Sequence, residues 1–180
     1  MSWATLKSRS IVGCSLYTAS NYNDKYSSPK DSPPPISNTR FTSSQIAFVK
    51  EYLFHPESYA AAYDDIARAY GKGDTPESRQ KLWEHFETFV LKGSENRFKF
   101  SCVWDYEYYI SKNPDLRGFS PVEAMILFIN FGHNEFRQTH PNFNINIYSQ
   151  AKDLKTAFGD NWKLYFKHRI NFFHENRTTK

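Results

Sequence analysis

Apolar residues recur three and four positions apart in four stretches after Phe41, which is the spacing of helices that bury one face. Each stretch begins with a residue whose side chain can cap a helix N-terminus. The predicted capping residues are Thr42, Thr75, Ser120 and Asp160. Pro76 and Pro121 directly follow two of these caps, in the first helical turn where proline is tolerated. The pattern therefore predicts a mostly α-helical body.

The apolar faces of these helices predict the core of the protein. The residues expected to face the core are Leu82, Phe86, Phe89, Val90, Tyr108, Tyr109, Phe128, Phe131, Trp162, Tyr165, Phe166 and Ile170. Strand-like alternation occurs only in RFKFSCVW, at 97–104, and in NFNINIY, at 142–148. Because both segments are short, we expect them to be extended connectors.

The motif Glu-x-Arg occurs three times with a spacing of 40 positions. Upstream of each motif lies an aspartate followed by an aliphatic residue, and six positions before that aspartate lies an apolar residue. The residues in these positions are Glu95 and Arg97, Glu135 and Arg137, Glu175 and Arg177, Asp65-Ile66, Asp115-Leu116, Asp153-Leu154, Tyr59, Tyr109 and Ile147. A fixed period on this scale is typical of helix-pair arrays, so we predict two to three degenerate copies at 57–97, 103–137 and 143–177. The aspartate and the glutamate are 30, 20 and 22 positions apart, so the first copy carries an insertion around YGKGD.

The middle copy, WDYEYYISKNPDLRGFSPVEAMILFINFGHNEFR, resembles a known family of short aromatic helical repeats with the pattern FDxxYYLxxNPDL…A…HFxxxGxxExR. The residues that carry the resemblance are Trp104, Asp105, Tyr108, Tyr109, Asn113, Pro114, Asp115, Leu116, Ala124, Phe128, Gly132, Glu135 and Arg137. Leu127 replaces the usual histidine, and Phe136 replaces the glycine that usually precedes the arginine. The family occurs in tandem in bacterial surface and glycan-related proteins and in proteins of phages and large DNA viruses. The resemblance implies a helical module and does not imply a particular chemical activity.

Within the middle copy, the sequence predicts a helix, a stop and a capped restart. Pro114 disfavours helical geometry at the residue before it and ends the first helix. Ser120 and Glu123 are spaced as the capping box of the second helix. We expect Glu135 and Arg137, which follow that helix, to join one copy to the next by a charge-assisted hydrogen bond.

Residues 1–40 differ in composition from the rest of the chain. They contain nine serines, four prolines and five basic residues against two acidic ones, and so supply +3 of the net charge of +4. No helical or strand period runs through them, which predicts an extended, irregular arm before a helical-repeat domain at 41–180. Disordered tails are usually poor in aromatic residues, so we expect this arm to dock on a surface, either of its own domain or of a partner. The residues expected to bind are Trp3, Tyr17, Tyr22, Lys25, Tyr26, Pro33, Pro34 and Pro35.

No catalytic or metal-binding motif is recognised in the chain. Cys14 and Cys102 lie 88 positions apart, and the six histidines show neither HxxxH nor HExxH spacing. Ser44 and Cys102 lack the surroundings of a known nucleophile, and the phosphate-loop frame is absent. We therefore predict no catalytic residue, no metal site and no cofactor, and a protein that is not an enzyme.

Together these features predict a structural or linker protein that fastens subunits of a large assembly through its arm and its helix faces. The resemblance favours a virion, capsid or phage-particle component, and a linker of a light-harvesting or other large complex is a second setting. A different class is a module that binds a glycan or nucleic acid on exposed tyrosines, Tyr108 or Tyr109. The net charge of +4 gives nucleic acid weak support.

The expected partners are thus other protein subunits. Neither a signal peptide nor an apolar stretch of membrane-spanning length is recognised in the sequence. We accordingly expect no membrane insertion, and an intracellular soluble protein or a part of a particle.

Overall fold

A computed structural model of the chain describes residues 40–177, with side chains for residues 40–172. These residues all belong to the unit Ser32–Lys180. The predicted arm lies outside the described residues. Its partner-binding candidates are Trp3, Tyr17, Tyr22, Lys25, Tyr26, Pro33, Pro34 and Pro35, and their role stays a prediction.

The described part of the chain consists of α-helices and connectors, which confirms the predicted mostly helical fold. The helices are α1 (Ser43–Tyr52), α2 (Pro56–Ala62), α3 (Asp64–Tyr70), α4 (Pro76–His85), α5 (Tyr106–Lys112), α6 (Pro121–Leu127), α7 (Ile145–Tyr148), α8 (Lys152–Phe158) and α9 (Trp162–Arg177). Between residues 40 and 177 there is no β-strand, and strand-like pairing is limited to one bridge between His140 and Phe143.

The predicted helix caps are confirmed at three of four positions. Thr42 and Ser120 form full capping boxes, and the Thr75 hydroxyl accepts a hydrogen bond from the backbone N–H of the third helical residue. The prediction for Asp160 is wrong, because α9 begins only at Trp162 and the Asp160 carboxylate pairs with Lys155 instead. These caps fix where α1, α4 and α6 start, and therefore which faces the helices bury.

Aromatic rings pack against one another in two parts of the core. Phe86 packs between Phe54 and Phe100, at ring distances of 5.0 and 4.6 Å. Further along the chain, the Phe128 ring lies 5.9 Å from that of Phe166, and all five of these residues are buried. Because each ring removes a large apolar area from water with few rotatable bonds, a body of this size is stabilised by a small number of them.

The first and last helices pack against each other. The Phe48 ring of α1 lies 5.5 Å from the Trp162 ring of α9, and the Lys167 ammonium lies 2.8 Å from the Glu51 carboxylate. The described body is therefore closed by a contact between segments that are more than a hundred positions apart in the chain.

Wide π-helical turns extend α4 and α6, at Phe86–Leu91 and Phe128–Gly132. The prediction that Phe89 and Phe131 belong to the core is wrong, because these side chains are 46% and 48% exposed. A π-helical turn holds about 4.4 residues instead of about 3.6. Phe89 and Phe131 each lie three positions after a buried phenylalanine, Phe86 or Phe128. In a π-helical turn, such a residue is rotated about 55° further from the core than in an α-helix.

The two strand-like segments differ from each other. Residues 97–104 are a connector without helix, in which Phe98 and Phe100 are buried and Lys99 between them is exposed, as expected. The other segment forms the short helix α7 instead, because the Asn144 side chain accepts hydrogen bonds from the N–H groups of the second and third helical residues. In that helix Ile147 is 47% exposed, so it does not repeat the buried positions of the other copies.

Candidate functional site

The Glu-x-Arg motif of the middle copy forms a network with the Asn-Pro-Asp-Leu stop of the same copy. The Arg137 guanidinium donates to Asp115 at 2.8 Å and to Asn113 at 3.2 Å, and it pairs with Glu135. Only 9% of the Arg137 side chain is exposed. Burial lowers the pKa of Arg137, but the hydrogen bonds to Glu135 and Asp115 outweigh burial and raise it overall, so the guanidinium remains charged.

Asn113 links this network to the end of α5. Its side-chain amide donates a 2.7 Å hydrogen bond to the Tyr109 carbonyl, one of the groups that a helix end leaves without an intrahelical partner. The next residues form a 3₁₀ turn at Pro114–Leu116, with Leu116 buried in the core. The Asn-Pro-Asp-Leu sequence is thus accounted for by helix termination, a turn and an ion pair.

The first copy contains the same pairing. Arg97 binds Asp65 through two hydrogen bonds, of 3.0 and 2.8 Å, and lies 2.8 Å from Glu95. The hydrogen bond from Arg97 holds the pKa of Asp65 below its ordinary value. This pair is more open to solvent than that of the middle copy, since 54% of the Asp65 side chain is exposed.

These contacts correct the predicted role of Glu-x-Arg. Each arginine binds the aspartate of its own copy, 32 positions away for Arg97 and 22 for Arg137, rather than a residue of the next copy. In the last copy, the aliphatic residue after the aspartate is buried, as in the others, but the side chains of Glu175 and Arg177 lie outside the described residues. Their pairing stays a prediction.

Gly132 is required where the π-helical turn passes over α5. A Cβ atom at this position would lie 2.7 Å from the Tyr109 hydroxyl oxygen, which is too close for any side chain. No described residue forms a hydrogen bond of good geometry with that hydroxyl. Burial raises the pKa of Tyr109 well above its ordinary value, although the nearby charge of Arg137 opposes part of the change.

Cys102, His85 and His133 take part in the packing and hydrogen bonding of the fold. Cys102 is a free, buried cysteine, and burial raises the pKa of its thiol to about 12, so it is protonated at neutral pH. The buried His85 lies 3.0 Å from the Tyr59 hydroxyl through Nδ1, and His133 stacks on Trp162 at 4.3 Å. Among the side chains that the structure describes, residues 40–172, no group of three or more histidines, cysteines and carboxylates could hold a metal ion.

A short exposed turn follows α6 and carries two phenylalanines. Phe131 and Phe136 are 48% and 49% exposed. Phe136 has a φ of 51°, and it is the only described residue other than glycine with a positive φ. This conformation costs a residue with a side chain about 1–2 kcal/mol, and Phe136 stands where the repeat pattern has glycine. Backbone strain combined with an exposed aromatic ring is typical of a binding surface.

Tyr109 does not provide the exposed ring that a ligand platform needs. Its side chain is fully buried, with the ring 4.7 Å from that of Trp104. Tyr108 is half-buried, and its hydroxyl donates to the Gln138 side chain at 2.8 Å. Among the tyrosines predicted to bind a ligand, only Tyr108 is therefore accessible.

A pocket of about 300 Å³ lies between the first helix of the first copy and the start of the middle copy. The sequence does not indicate that its lining residues form a site: Ser58, Ala62, Tyr63, Asn96, Phe98, Lys99, Ser101, Trp104, Asp105, Tyr106, Glu107 and Pro121. They lie in segments that are up to 63 positions apart, and no single motif or spacing spans them all. Only the fold brings them together.

Comparisons with protein-family models, with curated proteins and with solved structures gave no match for this chain. The resemblance of the middle copy to the aromatic helical repeats accordingly stays a prediction. Within residues 40–177, no helix combines the length and the apolar character needed to cross a membrane.

Proposed function

We propose that this protein is a non-enzymatic component that joins the subunits of a large assembly. It binds them through its N-terminal arm and through the exposed turn at 131–136. The observation that carries the proposal is the pair of half-exposed rings on that turn, Phe131 and Phe136, the second held at a φ of 51°. A strained, exposed aromatic residue costs stability in the free protein, and burial against a partner offsets that cost.

The rest of the middle copy supports this role by holding the turn in place. Arg137, directly after Phe136, is anchored by Asp115 and Glu135, and Gly132, directly after Phe131, lies against Tyr109. Both phenylalanines are thus presented from a fixed backbone, which reduces the ordering entropy that binding costs. The resemblance of this copy to repeats in phage and large DNA virus proteins favours a virus or phage particle as the assembly.

The experiment compares three forms of the protein in the cells or particles that contain it. The double variant Phe131→Ser/Phe136→Gly removes both exposed rings, and a second form lacks residues 1–40. The matched control is Phe89→Ser, because Phe89 is 46% exposed at the equivalent place in the other π-helical turn. Each form is followed by sedimentation of the assembly, by identification of the proteins that co-purify, and by circular dichroism.

We expect the double variant and the truncated form to remain helical but to stay in the supernatant when the assembly is sedimented. The Phe89→Ser variant should sediment with the assembly. Normal incorporation of the double variant would show that the turn at 131–136 is not the docking surface. Normal incorporation of both altered forms would overturn the proposed function as a whole.

A further inference from the structure

The pocket between the first and middle copies collects polar side chains that the fold does not use. Asn96, Lys99 and Glu107 line it and are exposed, and none of their side chains forms a hydrogen bond or an ion pair with another described residue. Trp104 also lines the pocket. Its indole is almost completely buried, yet Nε1 has no hydrogen-bond partner within residues 40–172.

A buried indole N–H without an acceptor is unfavourable, because burial removes the water that would otherwise bind it. Nε1 itself has almost no accessible surface, so it serves as a reporter on the pocket wall and not as a group that binds the ligand. Asparagine adds a donor and an acceptor, lysine adds donors, and glutamate adds acceptors. The pocket thus offers hydrogen bonds of both kinds within a small volume.

The pocket also presents aromatic rings in fixed orientations. The Tyr106 hydroxyl donates a 2.7 Å hydrogen bond to the Phe119 carbonyl, and the Tyr63 hydroxyl accepts one of 3.2 Å from the Lys99 backbone. These bonds hold both rings at the pocket wall, where they form an apolar surface beside the polar groups. Rigid aromatic surfaces of this kind bind apolar faces of ligands at a low cost in entropy.

The charges around the pocket are of both signs. Lys99 lines the wall together with Asp105 and Glu107. The Arg97 guanidinium lies over the Tyr63 ring at 5.1 Å, but Asp65 and Glu95 already neutralise it. A neutral ligand with donors and acceptors therefore matches the lining without leaving an unbalanced charge.

We propose that this pocket binds one neutral monosaccharide unit, with a ring face against Tyr63 or Tyr106 and hydroxyls bonded to the side chains of Asn96, Lys99 and Glu107. A hexose ring has an apolar C–H face and hydroxyls that both donate and accept, which is the combination that the lining offers. The volume of about 300 Å³ is at the lower end of small-molecule sites and suits one sugar ring rather than a longer chain. The site is separate from the turn at 131–136 and goes beyond the proposed assembly role.

The test follows the Trp104 indole N–H in ¹⁵N-labelled full-length protein by NMR, with the resonance assigned by its loss in Trp104→Phe. The probes are the methyl glycosides of glucose, galactose, mannose and N-acetylglucosamine, titrated to high millimolar concentration, with tetramethylammonium and acetate as ionic comparisons. We expect at least one glycoside to shift the indole resonance in a saturable way.

The variants Asn96→Ala and Glu107→Ala each remove a proposed hydrogen bond, and we expect each to weaken the glycoside affinity about tenfold. The matched controls are Asn134→Ala and Glu77→Ala. Glu77 holds the same place in α4, two residues after the cap, as Glu107 holds in α5. Both controls should bind as the unaltered protein does.

Three results would overturn the proposal. They are the absence of a shift with every glycoside, a shift that both site variants leave unchanged, and a shift caused by tetramethylammonium or acetate instead of a sugar. The double variant Phe131→Ser/Phe136→Gly should bind glycosides normally, so failure of the assembly proposal and failure of this one are distinguishable.

Discussion

Arg137 and Asp115 form an ion pair across 22 positions of the chain, with Nη1 2.8 Å from Oδ2. Their side chains are only 9% and 19% exposed. The corresponding pair of the first copy, Arg97 and Asp65, is 27% and 54% exposed. The two copies therefore place the same ion pair in two different dielectric surroundings.

The first prediction uses this difference. Asp115→Ala leaves the Arg137 guanidinium buried without its aspartate, and we expect it to lower the free energy of unfolding by about 2–3 kcal/mol. Asp65→Ala should cost much less, because solvent already screens that pair. Urea unfolding of both variants measures the two losses. Equal losses would contradict the role assigned to burial.

A second prediction concerns Gly132 and Tyr109. Gly132→Ala would normally stabilise a helical segment, but here the added methyl group meets the Tyr109 hydroxyl at 2.7 Å. We expect a loss of about 1–3 kcal/mol. Tyr109→Phe removes that oxygen and should itself be nearly neutral, since the hydroxyl has no hydrogen-bond partner among the described residues.

The double variant Gly132→Ala/Tyr109→Phe should recover most of the stability that Gly132→Ala loses. Thermal unfolding of the two single variants and the double variant provides the complete cycle. Additive effects would show that the hydroxyl is not what excludes a side chain at position 132.

The third prediction concerns the backbone at Phe136. We expect Phe136→Gly to be more stable than Phe136→Ala by about 1 kcal/mol, because both variants lose the ring but only glycine adopts a φ of 51° without strain. Chemical denaturation compares the two variants directly. A more stable alanine variant would indicate that the free protein does not hold position 136 in the left-handed conformation.

The fourth prediction is a loss of stability in mild acid. Burial holds the pKa of His85, His133 and His140 below the ordinary value of 6.5. Below pH 6.5 the unfolded chain therefore binds protons at these residues before the folded protein does. The histidine contribution to stability is complete above that pH and decreases as the pH falls through 6.5 towards the lower folded values.

Urea midpoints measured between about pH 8 and about pH 5 test this dependence, and NMR titration of His133 tests its cause. The nearby charge of Lys163 adds to the effect of burial on the pKa of His133. His133→Gln should reduce the slope of stability against pH. A slope that is flat in the unaltered protein would contradict the prediction.

The sequence was sufficient for the features that depend on neighbouring residues. Thr42, Thr75 and Ser120 cap helices because each side chain reaches a backbone N–H only three positions away. Pro114 acts in the same local way when it ends α5. Such interactions are complete within one turn of the chain, so a linear pattern contains all the information they need.

The positions of Phe89 and Phe131 were not predictable from the same pattern. An apolar period of 3.6 assumes an α-helix throughout, and the π-helical turns change the period after Phe86 and Phe128. The sequence also does not predict the pocket, since Tyr63 and Tyr106 line the same space only in the folded chain. The sequence predicts that Arg137 joins its copy to the next one, whereas in the structure Arg137 binds Asp115 of its own copy. The spacing of a motif along the chain does not indicate which way a side chain points.

The ion pairs of the first and middle copies close over connectors of different length. The first copy has five more residues between Asp65 and the helix cap Thr75 than the middle copy has between Asp115 and the helix cap Ser120, yet Arg97 still reaches Asp65. The length of this connector can therefore vary while the ion pair still forms. In the middle copy, Gly118 lies in this connector with no heavy atom within 4 Å of the place where its Cβ would stand. An epitope or a fluorophore placed beside Gly118, with the glycine itself kept because of its φ of 91°, would mark the protein within the proposed assembly.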